Sequence, residues 1–122
     1  PIDAIPADII LTWIDQDPEK RAPIIMRHIS SNLYDKNGNP ELARAILLQF
    51  GMLDSVQNAL MANELSFSWS GSEEDALDSK IEKMNSYLKN ETNASVSRWI
   101  ENAIDQLEQE KINARIREER GW

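Results

Sequence analysis

Residues 72–107 read SEEDALDSKIEKMNSYLKNETNASVSRWIENAIDQL, and the spacing within them decides the fold class. Leu77, Ile81, Met84 and Leu88 recur at intervals of four, three and four, the one-face period of an amphipathic helix. Ser72 stands before this run with Asp75 three residues on. That is an approximate capping box, with Asp where Glu or Gln is usual. Asn93 caps a second helix, the longest in the chain, whose apolar stripe is Val96, Trp99, Ile100, Ala103, Ile104 and Leu107.

Helix punctuation continues outward from this pair, and no stretch carries the two-residue period of a strand. Towards the N-terminus, Pro6 suits a first helical position, and Ile9, Ile10, Trp13 and Ile14 follow at helical spacing. Asp17-Pro18 opens a second helix reaching Ile29 or Leu33. Pro23 lacks the N–H the ladder needs, which predicts one helix kinked there in preference to two short ones. Tyr34 to Asn39 is a polar loop turning at Asn37-Gly38. Asn39-Pro40-Glu41 opens a third helix with Ala43, Ile46, Leu47 and Phe50 on one face and Gly51 as its stop. Asp54-Ser55 caps a fourth, shorter helix through Val56, Ala59 and Leu60, and residues 63–72 form the longest irregular stretch. Beyond Leu107 only Ile112, Ala114 and Ile116 remain to be buried among dense mixed charge, which predicts a tail extending past the core and ending at Trp122.

The fold expected is therefore all-α. It has about six helices in irregular antiparallel pairs and a long charged C-terminal helix. The 122 residues, 41% apolar and 28% charged, suit one domain with one modest core. Its parts are N-terminal helices over 1–62, a connection over 63–72 and a C-terminal helical pair over 73–122. The expected core is Ile10, Trp13, Ile25, Ile29, Ile46, Leu47, Leu60, Leu77, Ile81, Met84, Leu88, Trp99, Ile100, Ala103 and Leu107.

Three helix starts are alike: Asp17-Pro18-Glu19-Lys20-Arg21-Ala22, Asn39-Pro40-Glu41-Leu42-Ala43-Arg44 and Asn93-Ala94-Ser95-Val96-Ser97-Arg98. Each joins a capping residue, a proline or alanine, and a basic residue four or five on. This resembles the inner-helix start of HEAT-like repeats, with Val96, Arg98, Ala103 and Leu107 falling where that pattern places Val, Arg, Ala and Leu. The resemblance covers about half the chain, and the starts are 22 and 54 residues apart, an uneven period. The segments Leu11 to Pro18 and Ser68 to Ser72, with the charged terminal helix, are also similar to C-terminal helical modules of large bacterial proteins. The resemblance implies paired helices that present a binding surface.

Composition removes several classes of function. With no cysteine there are no disulfides, thiol nucleophiles or cysteine-bound zinc. A net charge of −8 opposes broad contact with a nucleic-acid backbone and suits a basic protein partner. No apolar run has the length of a membrane span and no signal pattern opens the chain, so a cytoplasmic location is expected. The sequons at Asn90 and Asn93 then read as chance. His28, the single histidine, has no nucleophile or acid at a triad spacing. Asp35 to Asn39 starts like a calcium loop, but Pro40 occupies the glycine position and Ile46 the terminal glutamate position. Glu73, Glu74, Asp75 and Asp78 are explained by the preference of a helix N-terminus for negative charge. No cofactor, metal or catalytic residue is expected.

The function expected is a non-catalytic protein-interaction or scaffold module of a larger bacterial protein. The alternative is a stand-alone acidic immunity protein or antitoxin that neutralises a basic enzyme. Contact residues are expected at Phe67 and Trp69, aromatics in a loop of small polar residues, and at Ile112, Ile116 and Trp122 on the terminal helix. That helix is expected to dock on another domain or on a second copy of itself.

Overall fold

Residues 4–121 are described in a computed structural model of the chain, and among them are six helices and no strand. They are α1 (Ala7–Asp15), α2 (Pro18–His28), α3 (Leu42–Phe50), α4 (Asp54–Leu65), α5 (Glu73–Asn90) and α6 (Ala94–Glu119). Two compact units divide the chain between Ser66 and Phe67, inside the stretch where the sequence places its connection.

In the first unit, α1 begins one residue later than the sequence suggests. Pro6 precedes the helix as its N-cap, and its carbonyl accepts from the amides of Ile9 and Ile10. Helix α2 runs unbroken through Pro23. The loop after it is closed by Asp35, whose Oδ1 accepts the N–H groups of Asn37 (2.8 Å) and Asn39 (2.9 Å). Gly38 takes a φ of 82° there, a conformation in which a side chain would be strained. Asn39 thus belongs to the turn and is not a helix cap: Tyr34 and Pro40 form an isolated bridge, and α3 starts only at Leu42. Gly51 ends α3 with ordinary helical angles. Glycine suits the position because a Cβ would run into the carbonyl oxygen of Leu47.

Helix α4 is longer than expected, absorbing Asn63, Glu64 and Leu65 from the supposed loop, with Asp54 inside its first turn. Those added residues tie it to α2. Asn63 Nδ2 donates to the carbonyls of Met26 (2.6 Å) and Ile29 (2.7 Å), satisfying groups that a helix end leaves unpaired. Glu64 is fully buried, and Ser31 Oγ donates to its carboxylate at 2.5 Å. Around these polar ties lie Ile10, Ile14, Met26, Leu33, Ile46 and Leu60.

The second unit is the helical pair. Ser72 Oγ accepts from Asp75 N–H at 3.3 Å and Asn93 Oδ1 from Val96 N–H at 3.0 Å, the two caps the sequence places there. Leu77, Ile81 and Met84 of α5 are buried, as are Val96, Trp99, Ile100, Ala103 and Leu107 of α6. Leu88 is only half-buried, because it lies within one turn of the end of α5. Arg98, which the HEAT-like pattern would place between helices, is exposed.

The terminal segment of α6 does not run past its partner. Lys111 pairs with Asp78 at 2.7 Å, Arg117 with Glu73 at 2.8 Å, and Arg115 with Glu74. As residue numbers rise on α6 they fall on α5, so the helices are antiparallel. The last turns of α6 lie beside the first turns of α5, and Ala114 is buried. The acidic cluster therefore does more than sit at a helix end, since three of its four carboxylates meet a cation across the pair.

Candidate functional site

Helix α1 carries two apolar rows, Ile10–Ile14 and Ile9–Trp13, each spaced by four and so each a stripe on one face, and Ile5 precedes the helix and lines the same cleft as Ile9 and Trp13. Only the first row is buried. Ile5, Ile9 and Trp13 are 46%, 56% and 39% exposed, and Ile24 on α2 is 48% exposed. The sequence places Trp13 in the core, and the structure turns it outward: Ile10 and Ile14 fill the space against α2, which leaves the neighbouring row at the rim.

The exposed row borders an apolar cleft of about 320 Å³ between α1 and α2, lined by Ile5, Ile9, Ile10, Trp13 and Ile25. Trp13 is held in place at its edge. The Arg21 guanidinium lies 4.6 Å from the ring centroid, and its Nη1 donates to Trp13 O and Gln16 Oε1, both at 2.8 Å. A cation against the ring face and a hydrogen bond to the same residue's backbone fix the indole without burying it. An aromatic ordered before binding pays little further entropy when a partner covers it.

The contact residues expected from sequence are scattered by comparison. Phe67 is half-buried beneath Lys80, whose Nζ lies 4.5 Å from its ring centroid, so it pins the connection to α5. Trp69 leans on Phe67 with ring centroids 5.6 Å apart and remains 48% exposed. Ile112 and Ile116 are exposed one turn apart on α6, at 51% and 40%. Trp122 lies outside the described residues.

Asp35 and the α5 acids Glu73, Glu74 and Asp78 are engaged in structural contacts. Asp35 serves its turn, and the N–H of Asn39, followed by that of Asn37, holds its carboxyl below the ordinary carboxylate range against an opposing effect of desolvation. The hydrogen bond to Glu74 raises the Arg115 guanidinium, and that to Asp78 raises the Lys111 ammonium. His28 is exposed on α2. Among the described residues no three acidic or histidine side chains are grouped to hold a metal ion, and no helix is long and apolar enough to cross a membrane. Comparison of the chain with protein-family models, curated proteins and solved structures finds no match.

Proposed function

We propose that this chain is a non-catalytic protein-interaction or scaffold module, HEAT-like in its use of helical pairs, working in the cytoplasm as part of a larger bacterial protein. Its contact surface is the outward face of α1 together with Ile24. The supporting observation is the clustering of Ile5, Ile9 and Trp13 beside one apolar cleft, with the indole pre-positioned by Arg21. Apolar side chains exposed singly are ordinary, but several grouped beside one cleft form the kind of patch that interaction surfaces use. Trp69 and the Ile112–Ile116 seam, both in the second unit, are smaller groups, so they are secondary candidates.

Photo-crosslinking tests this reading. A photoreactive residue replaces Ile9, or in separate samples Gln49, Trp69 or Ile112, and adducts formed in lysate of the source organism are identified by mass spectrometry. The expected result is a defined protein adduct from position 9 and none from the exposed α3 control at Gln49. Adducts only from position 69 or 112 would move the surface, and none from any position would contradict the interaction role.

A further inference from the structure

The charges beside the α1–α2 cleft are separated by helix. Asp8 and Asp15, both exposed and seven residues apart, share one edge of α1, which contains no lysine or arginine. Helix α2 has one acid, Glu19, against Lys20, Arg21, Arg27 and His28. With Arg21 committed to Trp13, its exposed basic positions are Lys20, Arg27 and His28. An apolar row is thus flanked by acids on one helix and bases on the next.

We propose that this face is covered by the same face of a second copy of the chain, related to the first by a two-fold axis. The proposal rests on the reading of this face as an interaction surface and names its occupant. In a two-fold interface, residue i of one copy meets residue j of the other and j meets i. Setting α1 of each copy against α2 of its partner brings Asp8 and Asp15 towards Lys20 and Arg27 twice over, while Ile9 and Trp13 of the two copies exclude water between them. A partner of one charge sign would meet like charge along one of the two helices, which disfavours it. The Ile112–Ile116 seam lacks this property: Glu108, Arg115, Glu119 and Arg120 mix both signs around the two isoleucines. The apolar area is small for a standard interface, so the self-association expected is reversible, on the order of micromolar.

Sedimentation velocity on the full chain, over an about thousand-fold range of concentration centred near micromolar, tests the proposal. The wild type should pass from monomer to dimer as concentration rises. Ile9→Asp should weaken dimerisation roughly tenfold or more, since it places a charge in the centre of the contact. The pair Asp8→Lys with Asp15→Lys, and the pair Lys20→Glu with Arg27→Glu, should each weaken it. All four together should restore it, because both sides of every contact are then exchanged. These side chains are at the surface, and circular dichroism of each variant verifies that it is folded. A wild type that remains monomeric overturns the proposal; adducts from position 9 with other proteins would then show that the interaction reading survives with a different occupant. A dimer indifferent to Ile9→Asp overturns it by placing the contact elsewhere. A dimer weakened by Ile9→Asp but not restored by the four-fold exchange overturns the two-fold arrangement.

Discussion

Trp99 is 4% exposed on α6, and its removal would empty the interior of the helical pair. Trp99→Ala should therefore cost about 3–5 kcal/mol in urea unfolding, the range for large aromatics removed from cores. Trp13→Ala loses a ring already 39% exposed, together with its contact to Arg21, and should cost about 1–2 kcal/mol. Equal losses would mean that Trp13 is as buried as Trp99. Asn63 has a larger role than its polar neighbourhood in the sequence suggests. Asn63→Ala leaves the Met26 and Ile29 carbonyls without their donor and should cost roughly 1–3 kcal/mol, measured in the same way. Little in the sequence announces that tie, because its partners are 37 and 34 residues away and backbone carbonyls leave no compositional trace. Glu64 is hidden for a related reason: an acid beside a run of serines reads as loop until Ser31 is seen to meet it.

At the scale of elements, the caps of α5 and α6 and the turn at Gly38 are legible because each depends on a few adjacent residues. The start of α3 is not. Asn39-Pro40-Glu41 is a good cap in isolation, yet Asp35 takes the Asn39 amide for its turn first. The sign of the pH dependence at this turn follows from the lowered carboxyl of Asp35. Its contribution is fully present above the ordinary carboxylate value of about 3.9 and is lost as pH falls through the lower folded value. Amide exchange at residues 37–39 should quicken over that acid range in the wild type. In Asp35→Ala it should already be fast at neutral pH, and protection persisting there would contradict the turn. Lys111 behaves oppositely. Its folded value is raised by Asp78, so its contribution is complete below about 10.4 and is lost as pH rises through the higher folded value. The tail of α6 carries Ala114 and the pairs of Lys111, Arg115 and Arg117 with α5. Deleting residues 110–121 should lower the melting temperature by several degrees, and an unchanged melting curve would mean that the tail is not docked.

For the molecule as a whole, helical class and helix number could be read from periodicity and punctuation, both local properties of the chain. Which of two equivalent stripes on α1 turns inward could not, since Ile10–Ile14 and Ile9–Trp13 have the same spacing and the choice is made by packing against α2. The same limit hides Ile5, Ile9 and Trp13 as a surface in the sequence, whereas the loop position of Trp69 makes it conspicuous. Charge separation between α1 and α2 is visible in the sequence, but it acquires meaning only once the two helices flank one cleft. Hydrogen–deuterium exchange of the purified chain, compared below and above the concentration at which it associates, locates the contact most directly. Slower exchange over residues 7–28 at high concentration, with residues 108–119 unchanged, is the result predicted. Protection confined to residues 108–119 or to the segment around Trp69, with α1 and α2 unaffected, would contradict it.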